Sequence, residues 1–276
     1  MNNDDDLVSL SRQGFWIGPD ESKEQFLKRV KLTQESLKGS ATSCRLLQSR
    51  IDHITDAKYD FIMKDIPWTF DNTGLSMWEG AALWIEDHSG ISVPHVQLKT
   101  GFKKGKWLFY SIDEVVSHEL FHAARVAYNE PKYEEILAYT SSNNFVRKTL
   151  GPIFQSPKES LFFVCLLFFC LFLDIVLSIF YSFFSIFYSI PCLYLAYLSL
   201  RLYRKHRRIR TIKRTMRKLV ESDKELNGII CRLTDKEIED FAHYTDCQIM
   251  DYFLQNKDKH LRIENIFSLY LEAKNS

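Results

Sequence analysis

The chain has 276 residues, of which 46% are apolar, 14% aromatic and 26% charged, a globular composition that excludes wholesale disorder, a collagen-like repeat and a disulfide scaffold. Its formal charge of +1 balances two unequal regions, because ten of the 36 basic residues and none of the 35 acidic ones lie within Arg201–Lys218. Just before that cluster, 33 of the 40 residues from Leu161 to Leu200 are apolar, which excludes an ordinary water-soluble core segment.

Residues 1–21 are polar and broken by Gly18-Pro19, so a loose tail is expected, and the run Asp4–Asp6 is not the basic-then-apolar pattern of a secretory signal. Ser22 and Gln25 form a capping-box pattern ahead of Phe26, Val30 and Leu37, in a helix expected to close at Gly39. A second helix is expected from about Ser43 through Ile51 and Phe61, ending before Pro67. Ala81–Ile85 and Ile91–Leu98 then read as strands around an Asp87–Gly90 turn, and Pro94 points to an edge position for the second. A third short strand, Trp107–Tyr110, leads into the segment that carries chemistry.

Ser111 and Glu114 form a second capping-box pattern, predicting a helix from Ser111 to about Tyr128. Within it, His118-Glu119-Leu120-Phe121-His122 is an H-E-x-x-H motif. Histidines four apart share one face of a helix and can grip a single zinc ion, and the glutamate between them is placed to act as general base on a bound water. Catalytic zinc needs a third protein ligand and one open position. Pro131 can open a following helix that folds back beside the first, where Glu135 is the candidate ligand and Glu134, about 100° away around the helix, the fallback. The E-x-x-A spacing of Glu135 and Ala138 fits a close approach of the two helices. Arg125 is expected to pair with Glu130 or Glu134, Tyr128 and Tyr139 to pack between the helices or donate to an oxyanion, and His243 with Asp246 is a remote further contributor.

This segment resembles the gluzincin class of zinc metallopeptidases, which carry H-E-x-x-H and a downstream glutamate ligand on a second helix. The resemblance covers Leu83–Thr140 and implies Zn2+ held by His118, His122 and Glu135, Glu119 as general base, and an upstream edge strand, here assigned to Ile91–Leu98, that holds an extended substrate. The connection between His122 and Glu135, twelve residues, is shorter than in many members.

An apolar run of 40 residues is long enough for two membrane crossings. A hairpin is expected, with one helix near Leu161–Phe180, a turn within Tyr181–Pro191 and a second helix to about Tyr203, and with Asp174 hydrogen-bonded to a tyrosine or serine of the second. By the positive-inside rule, Arg201–Lys218 marks the cytosolic side, so an integral two-pass protein with both termini cytosolic is expected, its basic cluster against anionic lipid headgroups rather than nucleic acid. Cys165, Cys170 and Cys192 lie in the apolar run, and Cys44, Cys231 and Cys247 are scattered without C-x-x-C spacing, which fits a reducing compartment. Beyond residue 218, the capping box of Thr234 and Glu237 and an apolar stripe through Ile238, Phe241, Ile249 and Phe253 predict a small helical region.

The fold expected is α+β: a loose tail (1–21), a minimal zincin-like domain (22–158), a transmembrane helical hairpin (159–203), and a basic juxtamembrane helix with a helical C-terminal region (204–276). The function expected is a membrane-anchored zinc metallopeptidase that hydrolyses peptide bonds of protein or peptide substrates, membrane proteins among them. The alternatives are a non-enzymatic membrane hairpin scaffold, as in bilobed hydrophobic interaction proteins, and a zinc-binding pseudo-peptidase.

Overall fold

A computed structural model describes residues 3–36, 45–63, 68–75, 79–88, 90–108, 110–178 and 185–272. The chain begins with α1 (Asn3–Arg12), α2 (Lys23–Ser36) and α3 (Arg45–Tyr59), followed by strands β1 (Trp68–Phe70), β2 (Ala81–Asp87) and β3 (Ser92–Leu98) and the short hairpin of β4 (Lys106–Trp107) and β5 (Tyr110–Ser111). Next come α4 (Ile112–Ala124), α5 (Pro131–Ala138), α6 (Phe145–Leu150), α7 (Pro157–Ser178) and α8 (Ser189–Met216). Four helices close the chain: α9 (Asp223–Cys231), α10 (Asp235–Phe241), α11 (Asp246–Asn256) and α12 (Leu261–Tyr270). The class is α+β, as expected. The predicted boundaries at Gly39, Ser43 and Pro67 lie outside the described residues.

Two expectations are corrected. The loose tail is instead a packed N-terminal arm: Leu7, Phe15 and Ile17 are buried, and Trp16 is fully enclosed, edge-on to Phe61 and Phe121 at 5.3 and 5.8 Å. Burial of so large an aromatic outweighs the polar composition around it. The Ile91–Leu98 edge strand is instead the central strand, in the order β1-β3-β2. Pro94 is tolerated there because β1 pairs in parallel only with Val96–Leu98, so no ladder bond on that side is asked of residue 94. The long free edge belongs to β2, which pairs antiparallel with β3 from Ala81↔Leu98 to Asp87↔Ser92.

The C-terminal helices share one core with the motif helix, since Phe121, Ile209, Phe241 and Leu271 belong to a single buried cluster. Two buried guanidinium groups tie it together. Arg125 Nη1 donates to the carbonyls of Cys231 and Leu233 at 2.6 and 3.1 Å. Arg232 donates to the Gly228 and Asp60 carbonyls at 2.8 and 3.2 Å and lies over the Trp16 ring. Replacing Arg232 by Met strands these carbonyls in a dry interior, so Arg232→Met is expected to cost about 3 kcal/mol. The check is a lowered melting temperature of the full chain in detergent.

α7 is the described helix long and apolar enough to cross a membrane: few of its residues are buried, Cys170 and Asp174 among them, and the 21 residues from Lys158 to Ser178 extend about 32 Å against a hydrocarbon core of about 30 Å. The expected turn falls partly on residues 179–184, outside the described residues. α8 is one continuous helix whose apolar turns end at Leu200 and whose basic part is packed on the soluble core through Leu202, Lys205, Ile209, Ile212 and Met216. This 3,4 spacing is the core-facing stripe of a helix. Asp174 is buried and accepts a hydrogen bond from the Tyr188 hydroxyl at 3.4 Å; the partner is a tyrosine, but it comes from the short 3-10 turn Ser185–Tyr188 ahead of α8 and not from the second helix itself. Where the apolar parts of α7 and α8 end, Arg201 clamps Glu159 through two bonds of 2.5 and 2.8 Å and donates to the Ile153 carbonyl at 3.2 Å.

Candidate metal centre

The motif helix starts where the sequence places it, although the predicted capping box does not form. Ser111 takes the extended N-cap conformation, but its hydroxyl turns to Asp113. Glu114 is drawn off by the backbone N–H of Asn143 and by Arg147, whose Nη1 lies 2.8 Å from it. α4 ends at Ala124, short of Tyr128. Asn129 follows with φ of 50°, a left-handed conformation that asparagine tolerates, and this bend turns the chain so that Pro131 opens α5 beside α4.

The return of α5 brings together the three residues predicted as ligands. His118 Nε2 and His122 Nε2 are 3.2 Å apart, and the two oxygens of Glu135 lie 3.6 Å from the first and 3.5 Å from the second. One donor atom from each of the three residues falls within a 4.8 Å span, a cluster that could hold a metal ion. Glu134 has a different place: its Oε1 lies 2.7 Å from Nδ1 of His122. A proton on Nδ1 shared with Glu134 leaves the Nε2 lone pair facing the cluster, the usual arrangement behind a metal-binding imidazole. His118 is backed by a hydrogen bond to the Ala138 backbone and by the Tyr139 ring, 4.7 Å away centroid to centroid. Ala138 is fully buried there, so the small residue of E-x-x-A does allow the close approach.

The donor set fits a metal on its own terms. Ligands at 2.0–2.1 Å in tetrahedral geometry stand about 3.3 Å from one another; the two Nε2 atoms are 3.2 Å apart, each faces a different Glu135 oxygen at 3.5–3.6 Å, and with one donor per residue the set spans at most 4.8 Å, compact enough to close around an ion. Without an ion the cluster is electrostatically strained. Burial and the neighbouring charge of His122 hold His118 well below the usual histidine range. His122 is also buried, yet the carboxylates of Glu134, Glu135 and Glu119 raise it to about 9. Burial raises Glu135, and burial raises Glu119 to about 7, with His122 opposing and Glu135 adding to the shift. A carboxyl of that basicity is suited to proton transfer near neutral pH.

His118 and Glu119 line a cavity of about 150 Å³ together with Gly80 and Ala81 at the start of β2, Tyr110, Val115, Tyr139 and Arg147. The free edge of β2 therefore begins at the cluster. A larger groove of about 900 Å³, lined by Glu24, Lys28, Ile85 and Asn129 among others, contains none of the cluster residues. Tyr128 is a packing residue that donates to the Arg232 carbonyl at 3.0 Å, and Arg125 sits 3.8 Å from Glu130. His243 lies on the exposed turn between α10 and α11, and Asp246 pairs with Lys218 at 3.1 Å, so neither joins the cluster.

Sequence reasoning missed Arg147 and Tyr110. Arg147 comes from α6, lies over the Tyr110 ring at 4.4 Å and is held by Glu114. No motif spacing links it to α4, and only the open Glu114 of the unformed capping box hinted at a distant partner. The orienting role of Glu134 leads to a prediction: Glu134→Gln is expected to weaken metal binding by about 10–100-fold with the fold intact, checked by competition with a fluorescent zinc chelator. Comparison with protein-family models, curated proteins and solved structures finds no match to this chain.

Proposed function

We propose that this chain is a membrane-anchored zinc peptidase acting on polypeptides at the cytosolic face of its membrane. The observation that carries the reading is the convergence of His118, His122 and Glu135, with Glu119 beside His118 in the lining of a small adjoining cavity. Two imidazoles and one carboxylate are a donor set that zinc favours, and a three-residue set leaves one position open. Zinc bound there supplies Lewis acidity to a water and to the scissile carbonyl.

The protein's own groups do the rest. Glu119 takes a proton from the attacking water as the water oxygen bonds to the carbonyl carbon. It then returns that proton to the amine nitrogen as the C–N bond breaks. Tyr139, whose hydroxyl burial and the nearby Glu135 keep protonated with a pKa pushed up to about 12, lines the cavity and is the donor for the developing oxyanion. The free edge of β2, starting at Ala81, offers backbone groups to an extended substrate.

The membrane reading rests on α7 and on the basic second half of α8. The hairpin would be two-pass, with the apolar start of α8 and the segment before it forming the return crossing and both soluble parts on the basic, cytosolic side. Among the described residues, Arg204, Arg207 and Arg214 are exposed on α8 without an acidic partner and are the cations offered to anionic headgroups.

The test is metal content and activity of the full-length chain in detergent. One zinc per chain is expected, together with cleavage of casein or of the chain itself, lost on treatment with a chelator and restored by added zinc. A chain that takes up no zinc when the metal is supplied overturns the reading.

A further inference from the structure

α6 is six residues long and divides its surface sharply. Phe145, Val146 and Leu150 are 77%, 61% and 53% exposed, and they occupy an arc of about 140° at 100° per residue. Arg147 turns away from them into the catalytic cavity. On the hairpin that carries the cavity residue Tyr110, Leu108 is also exposed, at 68%. Four large and mostly exposed apolar side chains therefore flank, in the chain, the cavity residues Tyr110 and Arg147. Exposed apolar groups gathered in this way mark a contact surface.

The height of this patch in the fold identifies what covers it. The clamp of Arg201 on Glu159 stands where the apolar parts of α7 and α8 both end. The same guanidinium donates to the Ile153 carbonyl, three residues after Leu150. One turn further along α8, His206 Nε2 lies 3.1 Å from the Thr149 carbonyl. His206 is five residues beyond Arg201, about 7.5 Å along the helix axis, which is the outer reach of a headgroup layer about 5–7.5 Å thick on each side of the hydrocarbon core. α6 is thus fixed at the level of the bilayer surface by contacts at its own C-terminal end, with free Arg204 and Arg207 on the adjoining turns of α8.

We infer that Phe145, Val146 and Leu150 of α6, with Leu108 beside them, insert into the surface of the bilayer that α7 enters. The same short helix then holds the catalytic cavity, through Arg147, at the membrane surface. Polypeptide segments lying along that surface, such as the stretches flanking a membrane anchor, reach β2 and Glu119 without leaving it. The inference rests on the membrane reading of α7 given above.

The experiment places p-benzoylphenylalanine, close in shape to phenylalanine, at single positions of the full-length chain. The chain is reconstituted in vesicles of phosphatidylcholine and phosphatidylglycerol with a fluorescent phospholipid tracer. Phe145→p-benzoylphenylalanine is compared with the same substitution at Phe168, an exposed residue of α7, and at Tyr244, exposed on the turn between α10 and α11. On irradiation, lipid is expected to attach at positions 145 and 168 and not at 244. Attachment at 168 but not at 145 overturns the inference while the membrane reading stands. No attachment at 168 overturns the membrane reading itself. A protein–protein adduct at 145 in place of the lipid adduct assigns the patch to a second copy of the chain and also overturns the inference.

Discussion

Glu119→Gln is expected to lower peptide hydrolysis by roughly 10²–10⁴-fold, the contribution of a positioned general base, and to leave zinc content unchanged. The separation of the two effects follows from where Glu119 sits. It lines the cavity beside His118, but it is not one of the residues whose donor atoms converge to form the cluster. Its burial holds the carboxyl near 7, so it can accept a proton from water and give it up again. The amide of glutamine has nearly the same shape and cannot do either. Zinc per chain and initial cleavage rates of the two proteins, measured side by side in detergent, test this. A variant as active as the wild type removes Glu119 from the mechanism, and a variant that has lost its zinc gives it a ligand's role.

The features legible in the sequence are those set by neighbours in the chain. The start of α4 at Ser111, the Pro131 opening of α5 and the box of Thr234 and Glu237 are all local arrangements, and all are found. The pairing of His118 with His122 is legible for the same reason, since residues four apart on a helix face one way. The choice between Glu134 and Glu135 is not. Both lie on a helix of eight residues, and only its packing against α4 decides which carboxylate meets the Nε2 atoms and which meets Nδ1. Trp16 looked like part of a tail because its ring partners, Phe61, Phe121 and Arg232, are 45 to 216 residues away. Pro94 signalled an edge because sequence shows that an N–H is missing but not how short the neighbouring strand is. Arg147 was hidden by the same kind of distance.

α8 links the two halves of the reading. Its buried face holds the soluble core, and its side chains reach α5 directly: Lys205 donates to the Lys132 carbonyl at 2.5 Å, and Arg208 Nη1 to the Tyr133 hydroxyl at 3.0 Å. These contacts fall in the first turn of the helix that carries Glu134 and Glu135. The cluster is therefore braced on α8, whose apolar start and basic second half form one unbroken helix from Ser189 to Met216. If α7 lies in a bilayer and the chain cleaves polypeptides, as proposed, a site braced in this way is held at one height above the membrane, and substrates would be selected first by where their peptide bonds lie.

Glu135→Ala is expected to remove zinc from the chain, with affinity falling by more than the roughly 10–100-fold that loss of an orienting partner costs. Activity is expected to disappear with the metal. Glu135 supplies the one carboxylate that faces both Nε2 atoms, at 3.6 and 3.5 Å, and Glu134 cannot replace it while bound to Nδ1 of His122. Metal loss in this variant is not explained by unfolding. Alanine is the best helix former, and burial makes the metal-free Glu135 carboxylate costly, as its raised pKa shows. The metal-free variant should therefore melt at or above the temperature of the metal-free wild type, and this inverse relation separates a ligand from a structural residue. If Glu135→Ala retains zinc while Glu134→Gln loses it, the two carboxylates have exchanged roles. If both variants keep zinc at wild-type affinity, the metal is held elsewhere and the convergence of the three residues is a packing feature.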